Sequence, residues 1–426
     1  MLTRRHFIEL AAATAAVTGF AGGLTRVAAQ QKLSQADLLK FDAKGQVTLL
    51  HLTDCHAQLK PIYFRPPSEN FGVGAFEGIP PHLVGEDFLK HFGIKPGSAY
   101  AYAHTMVDYV NLAKEYGRLG GLDRIATLVK SIRADRGDDK VLFLDGGDTW
   151  QGSYTALKTK GQDMIDCMKL LKPDAMVGHW EFTYGDARIK EVIDNLGYPF
   201  LGGNVVDNEF EEAVFESTKI FEKGGVKVAV IGQAFPYTPI SNPRWMFPKW
   251  SFGIRPERVQ QHVDKARADG AEVVVLLSHN GCDVDQKLAT VVKGIDVILT
   301  GHTHDSIPVA LKIGKTLVLS SGSHGKYLGR IDLEVKGGQV VDYNSTMIPV
   351  FSDAIEPDKE MAAKIAEVRA PYEKECNRVI AKTEGMLYRR GNFNGTWDDL
   401  ICEGLMAERD AEISISPGFR WGAPLL

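Results

Sequence analysis

The chain has 426 residues, 44% of them hydrophobic and 24% charged, the balance of a folded protein with enough material for one large α/β domain and part of a second. A formal net charge of −5 without any basic block argues against a nucleic-acid binder. The five cysteines, Cys55, Cys167, Cys282, Cys376 and Cys402, are widely spaced and odd in number, which argues against a disulfide framework.

Residues 1–29 read as an export signal. Thr3-Arg4-Arg5-His6-Phe7-Ile8 is a twin-arginine pattern, followed by a weakly apolar Ala-rich stretch and a small-residue site at Val27-Ala28-Ala29. The apolar run is well short of the roughly 20 residues that a membrane span needs. The expectation is a periplasmic protein with no membrane anchor, exported already folded, a route that suits any cofactor loaded before transport.

The first strand, 47–52, alternates little, as a strand covered on both faces does. It runs into Thr53-Asp54-Cys55-His56, whose Asp-x-His spacing puts Asp54 and His56 on one side of an extended segment. His51, inside the strand, reads as a hydrogen-bonded core histidine. Cys55 lies between two candidate ligands and is expected to point away from them, with a third ligand or a nucleophile as the alternative.

Residues 61–118 form a long insertion rich in Pro, Gly and aromatics. A connection of this length either shapes a binding site or is disordered, and Tyr63, Phe64, Phe71, Phe76, Tyr100 and Tyr102 favour order. Because it leaves directly from Asp54 and His56, it is expected to wall a pocket. His82, His91 and His104 within it have no ligand spacing.

Regular patterning resumes at Gly120. Helices are expected over 121–135, 161–171, 186–196, 257–269 and 285–292, and strands over 141–144, 175–177, 200–201, 226–231, 272–277, 297–299 and 316–319. This alternation predicts a mainly parallel sheet with helices on its faces, closed by antiparallel hairpins around 330–335. The organising stretch is 141–152, VLFLDGGDTWQG, where an apolar strand stops in acid and glycine and sets Asp145 and Asp148 on a tight turn. Open α/β sheets bind ligands at that edge.

The other apolar runs end alike. After 175–177 come Gly178-His179-Trp180-Glu181, after 273–277 Ser278-His279-Asn280-Gly281, and after 296–299 Thr300-Gly301-His302-Thr303-His304. Strands lying side by side would bring these ends into one pocket, with carboxylate and imidazole in the proportions of a two-metal hydrolytic site. A carboxylate can bridge two cations, and Asp148 is the candidate for that bridge.

Residues 356–384 read as a linker helix interrupted by Pro371. Beyond them, in 385–426, a helix over 397–409 and a strand over 411–416 begin a second domain. The chain therefore reads as a fragment, one expected to expose apolar surface where partner strands are missing.

Asp54-x-His56, Gly147-Asp148, Gly178 to Glu181, His279 and Gly301-His302-Thr303-His304 resemble, in order and spacing, the metallophosphoesterase superfamily. The start of the C-terminal region resembles the substrate-binding domain of its 5′-nucleotidase branch. Within that branch the chain is most similar to the periplasmic thiosulfohydrolases of the Sox sulfur-oxidation system, through the twin-arginine signal, the long insertion, GHWEFTYG at 178–185 and SPGFRWG at 416–422. The resemblance implies an α/β (α+β) fold: a layered β-sheet domain flanked by helices, spanning 30–355 and holding two metals, plus the start of a 5′-nucleotidase-type C-terminal domain.

The same resemblance implies roles. Asp54, His56, Asp148 and His304 would hold one ion, and Asp148, His179, His279 and His302 the other, with Asp148 and His179 closest to the chemistry. The cofactors implied are two divalent ions, manganese by family and Mn, Fe or Zn by ligand chemistry. Arg420 matches a substrate-binding arginine and would clamp an oxyanion through its planar fork, while Tyr184 and Trp180 line the pocket. The implied substrate is a cysteine-linked S-thiosulfonate on the SoxYZ carrier protein, hydrolysed to release sulfate by a monomeric enzyme.

One departure favours that substrate. Nucleotidases read Gly-Asn-His-Glu-Phe-Asp where this chain has Gly178-His179-Trp180-Glu181-Phe182-Thr183. His179 can replace Asn as a ligand, but Trp180 and Thr183 remove both members of the His–Asp pair that assists the transition state. Two alternatives remain: a periplasmic 5′-nucleotidase or other metallophosphoesterase, and a non-catalytic, metal-dependent carrier-binding protein.

Overall fold

A computed structural model describes residues 33–389 and 395–416. The export-signal segment and Arg420 lie outside them. Two mixed sheets form the centre. The first, five-stranded, runs edge to edge as Gln339–Pro349, Tyr327–Lys336, Val47–Leu52, Val141–Asp145 and Ala175–Met176. The second, six-stranded, runs Leu311–Ile313, Thr316–Ser320, Val297–Thr300, Val273–Ser278, Val226–Gln233 and Thr218–Lys223.

The strands expected from the apolar runs are present except at 200–201 and 411–416, but they divide between two sheets instead of joining in one. Successive residues of a strand face opposite ways. Val47, Leu49, Leu142 and Leu144 of the first sheet pack against Val228, Val230, Val275, Leu277 and Leu299 of the second, which makes a sandwich core. On the outer face of the first sheet, Leu50, Leu52 and Phe143 meet Ile125, Leu128, Val129, Met164 and Met168 of helices Leu122–Arg136 and Gln162–Leu171. On the outer face of the second, Ile231, Val274, Leu276 and Ile298 meet Val259, Val263 and Leu288 of helices Pro256–Ala268 and Cys282–Val291. A continuous apolar strand says that both faces are covered. It does not say whether a helix or a second sheet covers them.

Within each sheet the parallel strands are in register at their C-terminal ends. Leu52 pairs with Asp145 and Asp145 with Met176 in one sheet, and Ser278 and Ser320 both pair with Thr300 in the other. The loops that follow therefore leave the same edge of the sandwich. The hairpin Tyr327–Lys336 with Gln339–Pro349 closes the first sheet in antiparallel fashion, as expected.

The insertion is ordered around three short helices, Gly85–Phe92, Ala99–His104 and Tyr109–Tyr116. Tyr102 is buried with its ring 5.6 Å from Tyr109 and 5.9 Å from Tyr116. Helix Lys359–Arg369 is capped by Asp358 and buries Met361 and Ile365 in the core, so it is packed onto the domain. The helical path turns at Ala370–Tyr372, which holds Pro371, and ends at Cys376, short of the 384 expected.

Helix Thr396–Arg409 forms, but 411–416 is not a strand. No strand among the described residues pairs with it, and Ile413 and Ile415 are 79% and 85% exposed. Residues 200–201 make isolated bridges to Met176 and Glu216, not a strand. Among the described residues no helix is long and apolar enough to cross a membrane.

Candidate metal centre

All seven predicted ligands converge at the common edge of the two sheets. They fall into two groups, Asp54, His56, Asp148 and His304, and Asp148, His179, His279 and His302, with the ligand atoms of each group within 4.8 Å of one another. Asp148 belongs to both. Its Oδ2 lies 3.0 Å from His179 Nδ1, 3.2 Å from His279 Nε2 and 3.7 Å from His56 Nε2. Asp54 Oδ1 lies 3.1 Å from His304 Nε2 and 3.7 Å from His279 Nε2.

The backbone explains how short loops bring so many side chains inward. Asp54, His56, Asp148, His302 and His304 have φ of 52°, 48°, 55°, 75° and 59°, the left-handed region that non-glycine residues occupy only where the surroundings impose it. Such strain concentrates at functional sites. Gly301 meets a steric requirement of its own: a Cβ there would come within 2.5 Å of Thr53 Oγ1 and 2.9 Å of both Asp54 Oδ2 and His279 Nδ1.

Hydrogen bonds hold the ligands in place. Asp54 Oδ2 accepts from Thr53 Oγ1 at 2.6 Å and from the His302 backbone N–H at 3.0 Å. His279 Nδ1 meets the Gly146 carbonyl at 2.6 Å, which assigns the proton to Nδ1 and leaves Nε2 facing the two carboxylates. Buried Glu181 accepts four backbone N–H bonds, from Asp148, Thr149, Trp150 and His179 at 3.2, 2.6, 3.1 and 2.8 Å, and so ties the Asp148 turn to the His179 turn. Asp285 accepts from Ser278 Oγ at 2.8 Å and Asn280 Nδ2 at 3.0 Å, bracketing His279.

The residues fit divalent ions. His56 Nε2 and His304 Nε2 are 3.0 Å apart, the spacing of two nitrogens at right angles and each about 2.1 Å from one ion. His179 Nε2 and His302 Nδ1 are buried without a hydrogen-bond partner. Burial alone would raise both carboxylates, yet neighbouring imidazoles (His279 first for Asp54, His179 first for Asp148) hold them below the usual carboxylate range. Burial would lower His279, but Asp54 and Asp148 raise it to about 10, while burial brings His302 down to about 3 and His304 to about 4. The ionised carboxylates and the neutral imidazoles of His302 and His304 are the protonation states that a cation requires, while His279, which the two carboxylates hold protonated, must give up its proton to a cation bound there.

The remaining candidates take other places. Trp180 is half-buried, its ring 4.9 Å from that of His179. The Tyr184 hydroxyl donates to the carbonyls of Trp150 and Ala156, both at 3.2 Å. His51 is a core histidine, as expected: its Nδ1 bonds Ser321 Oγ at 2.8 Å, and burial lowers it to about 3. Cys55 is buried in the apolar core outside both ligand groups, and burial pushes its thiol well up. All five cysteines are free. The insertion reaches the centre's rim through Asn70, which donates to Asp305 at 3.1 Å, and through His82, 3.0 Å from Asp283.

Four residues near the centre were not foreseen as parts of it: Glu181 in its clamping role, Asp285, Phe235 and His324. The Phe235 ring lies 4.0 Å from both His179 and His302 and covers that side. His324 follows the strand Thr316–Ser320, so the strand-end pattern that marked the ligands also marks it.

No family model matches the chain. The solved structure of the sulfate thiohydrolase SoxB from Thermus thermophilus superposes with a TM-score of 0.88 at 35% identity, covering 91% of this chain and 72% of that one. The chain belongs to the SoxB family. The wider fold is that of the 5′-nucleotidase and calcineurin-like phosphoesterases: a 5′-nucleotidase precursor, also from Thermus thermophilus, superposes with a TM-score of 0.67 at 22% identity, covering 86% of this chain and 67% of that one. Among curated proteins, the snake venom 5′-nucleotidase of Naja atra is 27% identical over 320 residues, 67% of this chain and 59% of that protein. The mouse 5′-nucleotidase is 26% identical over 321 residues, 68% of this chain and 54% of that protein. The chain thus spans little more than half the length of the curated relatives it matches.

Proposed function

We propose that this protein is a two-metal hydrolase that cleaves a cysteine-linked S-thiosulfonate on a carrier protein of the SoxYZ kind and releases sulfate. The observation that carries this reading is a full set of dimetal ligands beside a missing proton donor. Bound there, two divalent ions, manganese by family likeness, would lower the pKa of a coordinated water and neutralise the substrate's oxyanion.

The chain's own groups determine which leaving group is tolerated. Where nucleotidases carry a histidine, Trp180 offers an indole N–H, which donates a hydrogen bond but is no acid at neutral pH. Thr183 does not replace the missing aspartate, because its hydroxyl donates to the Trp180 carbonyl at 2.7 Å. An alkoxide leaving group gains from a positioned acid. A thiol, with a pKa of about 8.5, can depart as the anion, and a persulfide more readily. Asp148 accepts from the Trp180 backbone N–H at 2.8 Å, so the indole-bearing turn is fixed to the ligand that serves both groups.

The twin-arginine pattern supports a periplasmic location. A nucleotidase activity is the second reading, favoured by the 5′-nucleotidases among the curated relatives. The test is sulfate release from thiosulfonate-loaded carrier by manganese-loaded protein, run beside AMP hydrolysis and repeated with His179→Ala. Metal-dependent sulfate release that is lost in the variant, without AMP turnover, is the expected result. AMP turnover without sulfate would replace this reading with the second.

A further inference from the structure

His324 occupies a place in the centre that neither ligand group accounts for. Its ring centroid is 5.3 Å from that of His56 and 5.5 Å from that of His304. Ligand imidazoles stand at similar spacings, 4.9 Å for His56 and His304 and 5.5 Å for His279 and His302. Yet His324 is outside both ligand groups. It borders the position of one ion without completing the ligand set around it.

The position is built, not incidental. The His324 backbone has φ 57°, and its N–H donates to the Asp54 carbonyl at 2.7 Å, tying it to a ligand residue. Nδ1 is engaged by Ser323 Oγ at 2.8 Å, and Phe64 of the insertion packs against the ring at 4.7 Å. Lys326 Nζ lies 3.9 Å over the other partner of that contact, Phe64, and makes no ion pair among the described residues, so no carboxylate of this flank competes with an anion for it.

Solvent also reaches this side. The His56 side chain is 14% exposed, against 0% for Asp54 and His279 and 2% for His304. His324 beside it is half-buried. The two rings, 5.3 Å apart, together form an edge of the centre that solvent touches.

We propose that His324 is a substrate-contacting residue, donating from Nε2 to an oxygen of the tetrahedral oxyanion, sulfonate or phosphate, held at the Asp54–His56–Asp148–His304 side of the centre. The proposal rests on the hydrolytic dimetal reading. Nε2 carries a proton both when the ring is neutral with Ser323 donating to Nδ1 and when the ring is charged. The contact therefore requires the neutral ring to take the tautomer in which Ser323 donates to Nδ1.

The test measures binding of inorganic sulfate and inorganic phosphate to the manganese-loaded full chain by calorimetry, with metal per chain determined on the same samples. His324→Phe keeps the ring stacked on Phe64 and removes the donor, and His324→Asn restores a shorter donor in a residue that tolerates positive φ. His324→Phe is expected to keep its metal content and bind both anions about tenfold more weakly, the share of one hydrogen bond to a charged group. His324→Asn is expected to recover part of that loss. Unchanged anion affinity at full metal content would overturn the proposal, as would a wild-type protein that binds neither anion. Weakening that merely tracks metal loss would make His324 a support for the ligands and overturn the contact. Anion binding that depends on His324, in a protein that releases no sulfate from the loaded carrier, would sink the thiosulfohydrolase reading and leave this contact standing.

Discussion

Replacing Glu181 by Gln exchanges one carboxylate oxygen for an NH2 group at nearly constant volume. Oε1 accepts from the Thr149 and Trp150 N–H groups at 2.6 and 3.1 Å, and Oε2 from those of Asp148 and His179 at 3.2 and 2.8 Å. Whichever way the amide turns, its NH2 faces two buried donors and leaves them unpaired. At about 1–3 kcal/mol for each unmade bond, the loss is about 2–6 kcal/mol, a large share of a total stability of about 5–15 kcal/mol. The groups left unpaired are the N–H groups of Asp148 and His179 in one orientation and those of Thr149 and Trp150, next to Asp148, in the other, so the strain falls on ligands of the second group. Thermal unfolding with and without manganese, together with metal analysis, measures both effects. Glu181→Gln is expected to melt roughly 5 °C lower or more and to bind less than its full metal complement. A variant with wild-type melting temperature and full metal would refute the clamp.

Gly301→Ala places a Cβ where Thr53, Asp54 and His279 already stand, at 2.5 to 2.9 Å, so calorimetric titration should show manganese affinity falling by tenfold or more; unaltered affinity would mean that the loop yields freely. Lys326→Met should stabilise the protein, and in a pH-dependent way. Burial brings Lys326 down to about 7, so between pH 7 and its unfolded value of about 10.4 the folded chain binds fewer protons than the unfolded chain, and stability rises with pH across that window. Methionine removes the slope, so its advantage, at most about 5 kcal/mol, is complete below pH 7 and fades toward pH 10. Urea unfolding at pH 7 and pH 9.5 checks this, and an equal gain at both would contradict it.

The ligands were legible because they follow apolar runs, and a parallel register brings the ends of such runs together. Asp54, Asp148, His179, His279, His302 and His304 could be read in this way, and so could the core role of His51. The division into two sheets could not, because Leu49 and Leu50 are both apolar, and which of them meets a helix and which a second sheet depends on long-range pairing. Glu181 stood within a recognised motif, but its work is to accept backbone N–H groups from a turn some thirty positions away, and no side-chain pattern marks that. The apolar alternation of 411–416 carried strand propensity without a pairing partner among the described residues, and propensity alone does not make a strand. His324 was marked by the same strand-end rule, obscured by the intervening Ser321-Gly322-Ser323.

The central claim is that one carboxylate serves two ions. Metal analysis of the manganese-equilibrated protein beside Asp148→Asn, which preserves shape and removes charge, tests it most directly. Two ions per chain in the wild type and one or none in the variant is the predicted result. Two ions retained by the variant, or a wild type that binds only one, would contradict the account.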